Sequence, residues 1–178
     1  MKLKIKYKVN EEGQYIHNCL KGDWVDLVAA QSYELHPSQA DTLKSKTVDG
    51  VSSKYRNVTS EVTYIKLGIA MELPKGFEAI VAPRSSTPKN FGIVCANSIG
   101  IIDNSYCGDN DEWKFPAIAI RETFIPEGTR ICQFRIQLSQ KATFWQKLKW
   151  LFSSGVKFVK VDKLNNKNRG GFGSNGVR

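Results

Sequence analysis

A chain of 178 residues with 41% hydrophobic and 24% charged residues can bury one sizeable core but hardly two, which excludes the disordered and fibrous classes and favours a single globular domain. No apolar run approaches the ~20 residues of a membrane helix. MKLKIKYKV alternates lysine with apolar residues where a secretory leader needs a continuous apolar stretch, so a cytoplasmic protein with no membrane partner is expected. The net charge of +9 sits at the two ends. Residues 1–10 carry four lysines and no acid, and residues 141–169 carry eight basic side chains against Asp162, whereas residues 11–140 hold 13 basic against 16 acidic. Such a balance can serve nucleic acid, a membrane surface or a polyphosphate ligand; for the N-terminal lysines a solvated strand face is the simpler account.

In chain order, KLKIKYKV places Leu3, Ile5, Tyr7 and Val9 on one face and lysines on the other, the period of two that specifies a strand. Residues 38–61, SQADTLKSKTVDGVSSKYRNVTSE, are polar and aperiodic and are expected as a long surface loop or partly mobile insertion. YIKLGIAMEL returns to strand alternation with Ile65, Leu67, Ile69, Met71 and Leu73 on one side. LPKG at 73–76 and IPEG at 125–128 share a Pro-x-Gly form, in which Pro fixes φ and Gly accepts φ > 0. RICQFRIQL aligns Cys132, Phe134, Ile136 and Leu138.

Residues 143–152, TFWQKLKWLF, predict the one helix, with Thr143 as cap, a stripe of Phe144, Trp145, Leu148, Leu151 and Phe152, and Gly155 to stop it. The tail NNKNRGGFGSNGVR is too rich in Gly and Asn to hold a core element and predicts an arm ordered only by what it binds. Cys19, Cys95, Cys107 and Cys132 lie far apart, and His17 and His36 are too few for a zinc cluster, so reduced thiols are expected. Short alternating strands between such turns indicate an antiparallel sandwich or barrel.

The stretch NSIGIIDNSYCGD, residues 97–109, sets Asp103 between an apolar run and Tyr106, with a glycine on either side. On its own this reads as a hairpin whose Asp caps its turn. Four other stretches change that reading: GDWVDLVAA (22–30), APRSS (82–86), GTRICQ (128–133) and RGGFGSNG (169–176). Any one of them is common. In this order and spacing, over nearly the whole chain, the five resemble the motifs of the trimeric dUTP diphosphatases (dUTPases).

The resemblance implies a jelly-roll β-sandwich or distorted barrel with one short helix, assembled as a homotrimer with active sites shared between subunits. It implies hydrolysis of dUTP to dUMP and diphosphate with Mg²⁺. Asp103 would activate the water that attacks the α-phosphorus in line. Tyr106 would lie against the deoxyribose and leave no room for a 2′-hydroxyl. Asn97, Gly100, Ile101 and Ile102 fall where the family reads uracil with strand backbone. Arg84, Ser85, Ser86 and Gln133 match phosphate-binding positions, and Asp26 matches the carboxylate that holds Mg²⁺, mostly through water. In the arm, Phe172 would stack on uracil, Gly173 and Ser174 would approach the nucleotide, and Lys167 or Arg169 would meet the γ-phosphate. Residues 1–164 would form the sandwich domain, with the 38–61 loop and the 143–152 helix as additions, and residues 165–178 the arm, which would reach a neighbouring subunit's site.

Three features depart from the family pattern. Trp24 and Val25 precede Asp26 where the family has a glycine, Lys167 stands where the arm's arginine is expected, and the return GDNDEWKF is unusually acidic. The nearest rival is a dCTP deaminase, or a bifunctional deaminase and dUTPase, of the same fold. It needs a glutamate near position 113, which is Trp; Glu112 beside it would point to the other face of a strand. A catalytically silent binding module using the basic region 141–163, and a nucleic-acid binder using the two basic ends, complete the alternatives, with nucleic acid ranked last.

Overall fold

A computed structural model describes residues 2–10, 16–18 and 23–171. In chain order its strands are β1 (Leu3–Val9), β2 (His17–Asn18), β3 (Val25–Val28), β4 (Tyr33–Leu35), β5 (Gln39–Ala40), β6 (Lys44–Val48), β7 (Val51–Tyr55), β8 (Val58–Thr59), β9 (Thr63–Lys66), β10 (Ile69–Glu72) and β11 (Phe77–Pro83). The short helix α1 (Thr87–Phe91) follows, then β12 (Ile93–Cys95), β13 (Gly100–Asp103), β14 (Lys114–Ala119), β15 (Thr123–Ile125), β16 (Arg130–Leu138), helix α2 (Phe144–Leu151) and β17 (Val156–Lys160). The architecture is all-β, as the alternating pattern predicts. No helix among the described residues is long and apolar enough to cross a membrane.

Three sheets, in the orders β10-β1-β17, β13-β11-β16-β3-β2 and β12-β14-β9, share one hydrophobic core in a jelly-roll sandwich. The period of two decides which side chains enter it: Leu3 and Ile5 are buried on β1 while the intervening lysines face out, and Phe77, Ala79 and Val81 do the same on β11. Trp113, Phe77, Phe115 and Phe134 are the largest fully buried side chains, each stabilising the fold by about 1.5–3 kcal/mol through apolar burial. Phe134 stands edge-on to both Trp113 (5.2 Å) and Phe158 (5.6 Å), which ties β16 to β17 and to the chain entering β14. Gly68, at φ +66°, breaks the 64–73 alternation into β9 and β10 without losing its inward side chains. Both Pro-x-Gly turns form, with Gly76 at φ +83° and Gly128 at φ +76°.

Three expectations need correction. The sequence predicts one short helix, whereas a second, α1, precedes β12, with Pro88 in its first turn. Residues 38–61 are no loop: β6 and β7 form a regular antiparallel hairpin with Val48 opposite Val51, and β5 pairs with β8 beneath it. The signal was Asp49-Gly50, whose φ values of +49° and +77° suit a tight two-residue hairpin turn. Every residue of β6 and β7 is exposed, so the polar composition reflects a two-stranded ribbon without a core face. Helix α2 forms with the expected Thr143 cap, reinforced by Gln146 donating its backbone N–H to the Thr143 hydroxyl while its side chain accepts from Thr143 N. Its inner contact, however, is Trp150, edge-on to Phe77 at 5.5 Å, while Phe144, Trp145, Leu151 and Phe152 are exposed. Cys95, Cys107 and Cys132 are unpaired thiols; Cys19 lies outside the described residues.

Candidate active site

Four of the five motif stretches converge on the five-stranded sheet. Asp103 ends β13, Arg84 follows β11, Gln133 lies near the start of β16 and Asp26 lies in β3, so the sheet order places them on neighbouring strands. In the register Glu78 faces Asp103, while Gln133 faces both Ala82 and Asp26. Directly opposed residues project to one face, which puts Asp103, Gln133 and Asp26 on the same side of the sheet.

At one end of β11 stands the acidic hairpin. Asp103 Oδ1 accepts from Ser105 N at 2.8 Å and from the Ser105 hydroxyl, and Oδ2 accepts from Arg169 Nη1 at 2.9 Å. Partial burial alone would raise the Asp103 pKa, but the two Ser105 hydrogen bonds and the Arg169 cation outweigh it and hold the carboxyl below the usual range. Tyr106 N closes the turn on Asp103 O at 3.2 Å, and its hydroxyl donates to Glu112 O at 2.8 Å, which fixes the ring. Burial, with Asp111 and Glu112 nearby, pushes the phenol up to about 12, so Tyr106 stays neutral. Among the described residues strand β13 is the last in its sheet, so one edge of its Gly100–Asp103 backbone has no strand partner there. Asn97 lies in the exposed turn before it, where its side chain accepts from the Cys95 thiol at 3.0 Å; Ile101 is exposed and Ile102 packs on the core.

The other end of β11 is cationic. The Asp26 carboxylate is fully buried between two guanidiniums: Arg130 Nη1 donates to Oδ2 at 3.2 Å, and Arg84 Nε lies 3.1 Å from Oδ1 at an angle that makes the contact Coulombic rather than a hydrogen bond. Two partly exposed cations around one buried anion leave a net positive edge. Ser85 is exposed, and Ser86 caps α1 without spending its side chain on a capping hydrogen bond. Arg130 belongs to the quoted GTRICQ stretch, yet its pairing with Asp26 could not be read from spacing, since it arises across strands.

This surrounding does not suit Asp26 as a Mg²⁺ ligand. Both of its oxygens already face arginines, and among the described residues no three His, Cys, Asp or Glu side chains are placed to hold a metal. Its role here is counter-ion to Arg84 and Arg130.

The two ends do not meet within one chain. Asp103 is level with Glu78, and Arg84, just past the end of β11, is six positions further on, roughly 20 Å at strand rise. In the chain described, residues 164–171 lie on that chain's own hairpin, with Arg169 at Asp103 and Lys167 exposed. Phe172, Gly173 and Ser174 lie outside the described residues.

A family model for dUTPase matches residues 49–148. Over all 178 residues, and the whole of its relative, the chain is 42% identical to the SPbeta prophage-derived deoxyuridine 5′-triphosphate nucleotidohydrolase YosS of Bacillus subtilis (strain 168). The chain belongs to the dUTPase family. Another family member, the deoxyuridine 5′-triphosphate nucleotidohydrolase of Finegoldia magna, is 32% identical over 120 residues, 65% of this chain and 72% of that one. Among solved structures, the dUTPase from Streptococcus mutans shares the fold with a TM-score of 0.59 over 78% of this chain and 98% of that one, at 16% identity.

Proposed function

We propose that the protein hydrolyses dUTP to dUMP and diphosphate at sites completed between copies of the chain, three per assembly as in the family pattern. The observation that carries this is that Asp103 sits on β13, level with Glu78 on one side of β11, while Arg84, roughly 20 Å along the strand direction, turns to Asp26 of β3 on the other side, so the two side chains diverge within a chain. Exposed Ile99 and Ile101 flank the acidic hairpin and supply apolar surface for a neighbouring copy.

In this reading the arginine-rich edge takes the triphosphate. Arg84 provides a planar fork of donors, Gln133 and the Ser85 and Ser86 hydroxyls add neutral ones, and buried Asp26 orients the guanidiniums without cancelling both charges. The hairpin takes the nucleoside. The outer edge of β13 offers alternating N–H and C=O groups to the uracil edge, assisted by Asn97, and a pairing pattern built for uracil rejects cytosine by donor conflict. Tyr106, held by Glu112, presents a neutral ring to the deoxyribose. Asp103, ionised at neutral pH, accepts the proton of the water that attacks the α-phosphorus, the α–β bridging oxygen leaves with diphosphate, and the proton returns to solvent. Arg169 leaves Asp103 for the more highly charged phosphate chain as substrate arrives. Mg²⁺ bound to the phosphates would neutralise their charge; no side chain described here is assigned to hold it.

Deamination is disfavoured by Glu112, which is buried and accepts from Gly68 N at 3.1 Å. The deciding experiment mixes two inactive variants, Asp103→Asn and Arg84→Ala, by joint refolding. Sites shared between copies regain about a quarter of wild-type activity by random assortment, whereas sites contained in one chain regain none. Diphosphate and ammonia release from dUTP, dCTP and dTTP, followed separately, tests the substrate.

A further inference from the structure

Helix α2 is seated the wrong way round for its own amphipathic pattern. At about 3.6 residues per turn, Phe144, Trp145, Leu148, Leu151 and Phe152 fall on one face roughly 120° wide, the stripe that ordinarily covers a core. Here the contact is made by the opposite face. Trp150 stands edge-on to Phe77 at 5.5 Å, and the Gln146 side chain lies where a Cβ on Gly76 would collide with it. No residue of α2 is buried, and Phe144, Trp145, Leu151 and Phe152 are 67%, 76%, 72% and 76% exposed. Lys147 and Lys149, both exposed, flank the apolar face on its two sides. Residues 141–161 hold five lysines and no acid. The charge continues onto the adjoining sheet: Leu3 N donates to Gly155 O at 2.9 Å, which brings β1 alongside the exit from the helix, and exposed Lys4 and Lys157 stand directly opposite each other in the parallel register. Like charges opposed in this way cost stability unless an anion lies over them.

We propose that α2 is an in-plane anchor that seats the protein on an anionic phospholipid surface, with Phe144, Trp145, Leu151 and Phe152 entering the boundary of the acyl region and the flanking lysines meeting headgroup phosphates. The chemistry of the patch selects the occupant. Four large apolar side chains held in water on one ridge mark an interaction surface, and burying them is favourable. Whatever covers them must also be anionic, because every formal charge between residues 141 and 161 is positive. A second copy meets the first condition and fails the second, since a self-paired contact would press lysines against lysines. The shape points the same way: the outer side of a single helix is convex and offers no groove to an acidic peptide, whereas a lipid surface moulds itself around a ridge. Aromatic and leucine side chains on one face with lysines at its borders are the composition of helices that lie in the headgroup plane, where lysine stems follow the apolar zone and their ammonium groups stay at the phosphates. The lack of a long apolar run bears on crossing a membrane and not on lying along its surface.

The test is flotation of the full-length protein with vesicles of phosphatidylcholine alone and of phosphatidylcholine mixed with phosphatidylglycerol. It compares wild type, the apolar variant Trp145→Ala/Phe152→Ala and the charge variant Lys147→Glu/Lys149→Glu, with oligomeric mass and dUTP turnover measured alongside. All four side chains are exposed, so both variants should fold, keep the wild-type mass and turn over dUTP as wild type does. Wild type should bind the phosphatidylglycerol vesicles about tenfold or more tighter than the neutral ones, and less tightly as salt is raised. On the anionic vesicles the apolar variant should lose about tenfold or more in affinity, and the charge variant a similar factor. Wild type that fails to float with anionic vesicles, or variants that bind them as wild type does, overturn the anchor. An apolar variant with altered oligomeric mass overturns it too, by making the face a contact between copies. So does a wild type that binds single-stranded DNA through these side chains and leaves the vesicles unbound. Flotation judges the anchor whether or not the protein hydrolyses dUTP.

Discussion

The two ends of β11 solve the problem of charge differently. At the hairpin end, Asp103, Asp109 and Asp111 crowd into nine residues, and each is answered within the chain, by Ser105, Arg169 or main-chain N–H groups. At the other end two arginines share the single buried Asp26. The first is satisfied as it stands; the second carries surplus positive charge in wait of an anion. An acidic group can be kept ready beside a polyphosphate only if its own field is locally compensated, and a phosphate-binding edge works only if its compensation is incomplete.

Perturbing each end should separate these roles. Asp103→Asn removes the proton acceptor and little else; kcat is expected to fall about 10³-fold with dUTP affinity largely kept, and normal turnover would remove the hairpin from the chemistry. At the opposite end, Arg84→Ala leaves the Asp26 carboxylate with only the half-exposed Arg130. Stability should drop by about 3 kcal/mol in urea titration, together with a rise in KM; an unchanged midpoint would mean that Asp26 needs no second cation. Gly108→Ala, which forces a Cβ against Asn168, should raise KM for dUTP about tenfold while leaving the Arg84 end intact.

A pH profile sharpens the contrast further. The Asp103 carboxyl lies below its ordinary value, so activity that needs its carboxylate is complete at neutral pH and disappears only as pH falls through that depressed value. Arg169→Ala removes one of the influences that lower it, and the acid limb of kcat/KM should move to higher pH; a limb that stays put would show that Ser105 alone governs Asp103. The smallest effect is expected far from both ends. Val51→Lys on the exposed β6–β7 hairpin should change stability by no more than about 0.5 kcal/mol.

Much of this was legible in the chain itself. The alternation in 3–9, 64–73 and 130–138, the Thr143 cap and both Pro-x-Gly turns are local patterns, and each produced the element expected. The 44–55 hairpin was equally local, but Asp49-Gly50 was overlooked because strands without a buried face show no hydrophobic period. What spacing could not carry was anything fixed by pairing across strands. The motif stretches named Asp26, Arg84 and Asp103 as residues that matter; only the register shows that Asp26 serves two arginines and that Asp103 lies far from both. The contacts of residues 164–170 with the hairpin were hidden for the same reason, since they depend on Asp109 and Asp111 meeting residues more than fifty positions away.

One further consequence lies in the pairing of β17 with β1. These strands run parallel, Leu3 beside Val156 and Tyr7 beside Lys160, with β1 held between β17 and β10. During synthesis β1 therefore emerges long before β17 exists, and the edge that β17 covers stays open until residues 156–160 have left the ribosome. The lysines alternating along that strand then have a use during biogenesis: they discourage the bare edge from recruiting another nascent molecule while it waits.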